Sequence, residues 1–183
     1  MRLVHIVNPY ISDLETELDD VQKTTIESMV LAKKSQNNVE LVAVTNKSIR
    51  LPEEFSIAPK QPLSNVDFGF NSHKSLPSLY EILKCGIDFS VKENLHSKSY
   101  IIFTNMDIIL RADFYTIVQK IIENGYDSFS INRRTVLKSQ IFSDSTCESF
   151  TPFVGVDHPG HDCFVFNAGL FAKFKESHSF ICT

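Results

Sequence analysis

The sequence has no paired cysteines, no glycine-rich phosphate loop and no long apolar run, and each absence removes a class of function. Its four cysteines, Cys85, Cys147, Cys163 and Cys182, stand far apart with no CxxC pair, so a zinc ribbon or a thioredoxin-type site is excluded. Free thiols in a reducing compartment are expected, and with them a cytoplasmic protein. Neither a P-loop nor a G-x-G-x-x-G occurs, which argues against P-loop ATPases and nicotinamide-dependent enzymes. No serine sits in a G-x-S-x-G elbow, so a Ser-His-Asp nucleophile has no anchor. No apolar stretch approaches the roughly 20 residues that cross a bilayer, so no transmembrane segment is expected. The first apolar segment, Leu3 to Val7, comes too soon and is too short for a secretory signal. Tryptophan is absent while phenylalanine is common at 15, which sets the texture of a core and says nothing of function.

What is present is ordinary globular material. The 183 residues are one domain's worth, with 43% apolar and 22% charged residues, a balance that argues against disorder. The formal charge of −4 and a pI near 5.8 make a generally basic nucleic-acid surface unexpected, because phosphate neutralisation needs clustered Lys and Arg. An acidic protein still binds a polyanion such as a nucleoside diphosphate when a divalent cation or a few local basic groups offset the repulsion.

Along the chain the pattern is that of an α/β protein. Leu3–Val7 reads as a buried strand ending at Asn8-Pro9-Tyr10, and a helix is expected from about Asp13 to Lys34, with Leu14, Leu18, Val21, Thr25, Met29 and Ala32 as its stripe. Val39–Val44 is a second strand ended by Thr45-Asn46-Lys47, which makes a βαβ unit with parallel strands. Arg50 to Phe70, broken by Pro52, Pro59 and Pro62, is a long connection with at most a short strand. Ser75-Leu76-Pro77 opens a helix with Leu76, Leu79, Tyr80 and Leu83 inside and Gly86 as its stop. Tyr100-Ile101-Ile102-Phe103 is continuously apolar, as in a strand covered on both faces. It breaks to Thr104-Asn105-Met106-Asp107 and resumes with Ile108-Ile109-Leu110. A helix with Phe114, Ile117, Val118, Ile121 and Ile122 follows, then Gly125 as its C′ residue. Tyr126–Ile131 is a strand closed by Asn132-Arg133-Arg134, and Ser139 to Ser149 a surface loop. Cys163–Phe166 is a last strand and Leu170 to Phe174 a short helix.

In open α/β sheets ligands collect beyond the carboxyl ends of the parallel strands. Four polar strand ends here supply amides, a carboxylate and two guanidinium groups: Asn8-Pro9, Thr45-Asn46, Asn105-Met106-Asp107 and Asn132-Arg133-Arg134. That mixture suits a nucleotide with a metal-bound pyrophosphate, with Asp107 on the cation and Arg133 or Arg134 on phosphate oxygens. The bland alternative is that Asp107 caps a turn and the arginines are solvated. His158-Pro159-Gly160-His161-Asp162 also has two readings. Asp162 would act as general base on an acceptor, or His158 would complete a metal shell; alternatively the run is a Pro-Gly turn whose flanking side chains satisfy backbone donors. A zinc site from His158, His161 and Cys163 lacks a second cluster. His5 inside a strand reads as a hydrogen-bonded core residue, and His73, His96 and His178 as loop or surface residues.

Taken in order, several stretches resemble GT-A-type glycosyltransferases, and more narrowly a little-characterised group of nucleotide-diphospho-sugar transferase-like proteins. They are Tyr100-Ile-Ile-Phe-Thr-Asn-Met-Asp-Ile108, the helix opening Asp113-Phe114-Tyr115, Gly125-Tyr126-Asp127 leading to Ile131-Asn132-Arg133-Arg134, His158 through Phe166, and Gln22 through Met29. The resemblance spans Leu3 to about Phe174. It implies a mostly parallel central sheet flanked by helices, in a single Rossmann-like GT-A domain. About 1–135 would bind nucleotide, and 136–183 would be an abbreviated acceptor side. It also implies Mg²⁺ or Mn²⁺ held at a DxD-like element, with Asp107 on the second carboxylate and Asn105 in place of the first. A nucleotide-sugar donor would lie with its base near Asn8, Pro9 and Thr45, its diphosphate near Asp107 and its sugar towards Asp162. The acceptor would be a sugar, lipid or protein, and the short segment after Asn167 leaves room for a partner chain to complete its site. Two other readings stay open. One is a non-catalytic nucleotide- or sugar-binding scaffold, favoured by Asn105 and the short C-terminus. The other is a nucleotidyltransferase, against which stands the lack of a Gly-rich, Lys-bearing loop after the first strand.

Overall fold

A computed structural model describes residues 1–11, 17–45, 48–59, 78–90, 99–136 and 155–173. The expected start of the first helix near Asp13, the helix-opening Ser75–Pro77, the loop 139–149, Asn46, Lys47, His73, His96, His178, Cys147, Cys182 and Phe174 lie outside the described residues.

Six strands form one sheet in the order β3-β2-β1-β4-β6-β5: β1 (Arg2–Val7), β2 (Val39–Thr45), β3 (Phe55–Pro59), β4 (Ser99–Thr104), β5 (Ser128–Thr135) and β6 (Val156–Asn167). β1 pairs in parallel with both β2 and β4, and β2 with β3. β6 runs antiparallel between β4 and β5. β5 therefore points the same way as β4, and the carboxyl ends of β1, β2, β4 and β5 share one edge with the beginning of β6.

Four helices cover the sheet: α1 (Asp20–Lys33), α2 (Leu79–Ser90), α3 (Phe114–Glu123) and the short α4 (Ala168–Phe171). The period of two along each strand sends alternate side chains to opposite faces. Leu3, Val7, Leu41, Ala43 and Ile102 pack with Met29 of α1 and with Tyr115 and Val118 of α3. Val4, Ile6, Val42, Val44, Ile101 and Phe103 pack with Ile82 and Ile87 of α2 and Ala168 of α4. Helices on both faces explain why the central strands read as unbroken apolar runs. The expected architecture, a mostly parallel sheet flanked by helices, is the one observed.

Several element boundaries differ from the sequence reading, each for a local reason. α1 begins at Asp20, because Asp19 is its N-cap and its side chain accepts from the Gln22 amide at 2.8 Å. The connection after Arg50 holds a real strand, β3, whose Pro59 lies at the sheet edge opposite Thr45. Gly86 does not end α2 but lies within it, and a Cβ there would come 2.7 Å from the Ile6 side chain. The glycine is thus a close-approach residue between helix and sheet. In α3 the buried face is Tyr115, Val118 and Ile122, with Ile117 exposed. Gly125 takes the left-handed conformation expected of a C′ residue, at φ 93°. β5 and β6 are both longer than expected. Asn132-Arg133-Arg134 lies inside β5, and β6 starts at Val156 rather than Cys163.

Candidate functional site

The loop after β4 carries Asn105, Met106 and Asp107 to the carboxyl edge. Met106 and Leu110 are buried and act as anchors at either end of it. Between them Asp107 is the exposed residue, its side chain 54% accessible. The loop is tied from beneath by α1, where the Ser28 hydroxyl accepts from the Leu110 amide at 2.9 Å and donates to the Thr25 carbonyl at 2.6 Å. A second tie holds the loop after β1. Gln22, itself buried, accepts from the Tyr10 amide at 3.1 Å and donates to the Tyr10 carbonyl at 2.9 Å, as a neighbouring strand would.

Arg133 comes to this edge from β5, two strands away from β4. The pairing of β5 with β6 is irregular here: Asn132 faces His161 and Arg134 faces Asp157, with shifts between Ile131 and Asn132 and between Asn132 and Arg134. Such irregularities re-aim a side chain locally. The Arg133 guanidinium meets three residues at once. Nη1 donates to Asp107 Oδ2 at 2.9 Å, Nη2 lies 3.2 Å from His158 Nε2, and Nε lies 2.8 Å from Asp162 Oδ2. That last contact is close in distance but not directed as a hydrogen bond, since Arg133 Nε and Asp162 Oδ2 are both buried atoms without a hydrogen-bond partner. It is an ion contact held by charge. The other oxygen, Asp162 Oδ1, accepts from the Asn105 amide at 3.3 Å, and His158 Nδ1 accepts from the Gly160 amide at 2.9 Å.

The residues singled out in the sequence are therefore placed as follows. Asn105, Asp107, Arg133, His158 and Asp162 converge on one cluster. Arg134, next in the strand, turns to Asp157 at 2.6 Å and to the Gly155 carbonyl at 2.7 Å. Asn8 lies at the end of β1 and donates to the Val44 carbonyl at 2.6 Å, while Pro9 and Thr45 beside it are buried. His161 faces Ser130 at 3.4 Å on the exposed side of the strand pair, and Cys163 is buried, its thiol pushed up to about 12 by burial. Neither Cys85 nor Cys163 is in a disulfide, and the Cys85 thiol donates to the Pro59 carbonyl at 3.0 Å.

Among the described residues, no group of three His, Cys, Asp or Glu is gathered to hold a metal ion. The chemistry of the donors nonetheless suits a hard divalent cation, for two carboxylates and an imidazole surround the guanidinium. The guanidinium touches all three, and His158 Nδ1 itself lies 3.9 Å from Asp162 Oδ2.

Beneath the cluster lies a second polar group, fully enclosed. His5 of β1 has Nδ1 at 2.8 Å from the Tyr115 hydroxyl and Nε2 at 2.9 Å from the Thr104 hydroxyl. Burial lowers its pKa from 6.5 to about 3, so the ring is neutral, and burial also pushes the Tyr115 phenol well up. Thr104 immediately precedes Asn105 and pairs with Cys163, the residue after Asp162. His5 thereby joins β1, β4 and α3 just below the site. The sequence showed His5 as a core histidine but gave no sign of its partners. Gln22 and Ser28 were missed too. The signal for them was polar side chains on an apolar helical stripe, Gln22 four residues after Leu18 and Ser28 three after Thr25.

No protein-family model matches the chain, and no curated protein matches it. In structure it is similar to the 4-diphosphocytidyl-2C-methyl-D-erythritol synthase of Anaerococcus prevotii DSM 20548, with a TM-score of 0.46 and 10% identity, over 96% of this chain and 80% of that one. A likeness that distant says nothing about the chemistry of the site. Among the described residues no helix is long and apolar enough to cross a membrane.

Proposed function

We propose that this chain is a nucleotide-binding transferase that takes a nucleotide-sugar donor at the carboxyl edge of its sheet and passes the glycosyl group to an acceptor. One observation carries this: Arg133 reaches across the sheet edge to touch both Asp107 and Asp162. A guanidinium fork there is suited to the oxygens of a diphosphate. Asp107, exposed at the loop tip, is the residue that would meet Mg²⁺ or Mn²⁺ on that diphosphate, together with His158. When bound, such an ion supplies positive charge to the departing diphosphate. The base would lie on the β1–β2 side, by Asn8, Pro9 and Thr45, and Arg134 would flank the phosphate side. Asp162, with its side chain only 19% accessible, sits further in. A sheltered carboxylate is suited to accept the acceptor's hydroxyl proton, once the ligand draws Arg133 away from it.

A second reading is a nucleotide- or sugar-binding protein without transfer activity. Asn105 favours it, because its amide brings no charge and donates to Asp162. The two part in a donor-consumption assay, since only the transferase releases nucleoside diphosphate from the sugar donor.

Binding itself is tested by thermal shift with a panel of nucleoside diphosphates and nucleotide-sugars, each with and without Mn²⁺. A ligand at about a hundredfold excess over its Kd should stabilise the chain by about 2.7 kcal/mol. Asp107→Ala should abolish the shift while leaving the unliganded protein within about 0.5 kcal/mol of the parent, because exposed ion pairs contribute little. No shift with any of these compounds would remove the donor site altogether.

A further inference from the structure

Three neighbours of Arg133 each face a different nitrogen of its guanidinium: Asp107 at Nη1, His158 at Nη2 and Asp162 at Nε. A planar guanidinium thus lies in contact with all three. A Mg²⁺ or Mn²⁺ ion instead draws its donors towards one point, to about 2.0–2.1 Å for Mg²⁺. The same carboxylates cannot satisfy both geometries at once. Charge sharpens the conflict, because two carboxylates attract a cation while a guanidinium among them repels a second one.

The guanidinium is also incompletely bonded. Arg133 Nε and Asp162 Oδ2 are buried at 2.8 Å without a directed hydrogen bond between them. His158 Nδ1 accepts from the Gly160 amide, which in a neutral ring leaves the proton on Nε2, facing the Nη2 donor of Arg133 at 3.2 Å. In the other tautomer the Gly160 contact becomes the donor-to-donor one. Either way one contact is mismatched. One directed hydrogen bond, to Asp107, and otherwise charge hold Arg133 in place, and such a group can be exchanged for another cation.

We infer that Arg133 and a divalent cation are alternative partners of Asp107 and His158, beside Asp162, so that the free protein excludes the ion. Arg133 is the built-in counter-ion of the unliganded site. It yields the carboxylates only when phosphate oxygens offer the guanidinium a better partner. The inference deepens the donor-site proposal, but its exclusion half rests on the side-chain geometry alone.

The test is titration of the full chain with Mn²⁺ in the absence of nucleotide, following loss of the free-ion signal by electron paramagnetic resonance. Wild type should leave micromolar Mn²⁺ free. Arg133→Gln should bind it at least about tenfold more tightly, a change equivalent to about 1.4 kcal/mol. Adding Asp107→Asn to that variant should remove the gain, and Arg133→Lys, which keeps the charge, should stay close to wild type. Arg133→Ala is a second neutral variant should the glutamine one not fold. Equal affinity in wild type and either neutral variant overturns the inference, as does a gain that survives Asp107→Asn. Stoichiometric binding of micromolar Mn²⁺ by wild type overturns it without any variant. Nucleotide binding is read separately by thermal shift without Mn²⁺, so failure of one does not imply failure of the other.

Discussion

Two histidines belong to two polar clusters, one below the other at the same end of the sheet. His5 is fully buried, both ring nitrogens have a hydroxyl partner, and its charge is suppressed by burial. His158 is part-buried at the rim, beside a guanidinium and two carboxylates whose contacts do not all close into hydrogen bonds. The lower cluster joins strands and a helix and has nothing left to offer a ligand. The upper one sets two carboxylates and an imidazole around one guanidinium and carries unsatisfied atoms. Satisfied polar groups in a dry interior make structure, whereas incompletely satisfied ones at a rim are available for chemistry.

That contrast is open to attack from both sides. The largest effect is expected from His5→Leu, which strands the Tyr115 and Thr104 hydroxyls in the core. Each buried hydroxyl left without a partner costs about 1–3 kcal/mol, so denaturant melts at pH 7 should show a loss of about 3 kcal/mol. A loss near zero would mean that the lower cluster is not structural.

Acid should then narrow the gap between the two proteins. Between pH 6.5 and about 3 the unfolded chain takes up a proton at residue 5 that the folded chain refuses. Stability is therefore fully present above pH 6.5 and falls as the pH drops, by up to about 1.4 kcal/mol per unit from this group. His5→Leu lacks that component, so its stability curve should be flatter and approach the wild-type curve in acid. Parallel curves would show that the native ring takes up its proton as readily as the unfolded chain does.

The smallest expected effect lies where α1 meets the loop that carries Asp107. Ser28→Ala removes the acceptor of the Leu110 amide and should cost about 1 kcal/mol. Hydrogen exchange at Leu110 should quicken, because the loop that presents Asp107 loses its tie to α1. Unchanged exchange would mean that Met106 and Leu110 fix the loop by packing alone.

How much of this could be read beforehand depends on the range of the interaction. The strands and most helices announced themselves, since apolar runs such as Leu3–Val7 and Tyr100–Phe103 and a stop such as Gly125 act through neighbours a few residues away. The polar ends of those strands were legible for the same reason. The partners of Arg133 were not. Nothing in Asn132-Arg133-Arg134 says which arginine will meet Asp107, because the answer depends on an irregular register with a strand that begins more than twenty residues later. Gly86 was misjudged likewise, since a glycine packed on Ile6 and a glycine that ends a helix look alike in one dimension.

By itself, then, the sequence determined the α/β alternation, the faces of the central strands and the set of polar residues at their ends, because periodicity and turn chemistry are local. Only the tertiary structure decided that Arg133 rather than Arg134 joins Asp107 and Asp162, and that His5 rather than His158 is sealed away. Strand order and register put residues far apart in the chain within a hydrogen bond of one another. Burial, which fixes whether a histidine can carry charge, belongs to the packed molecule and not to any stretch of it.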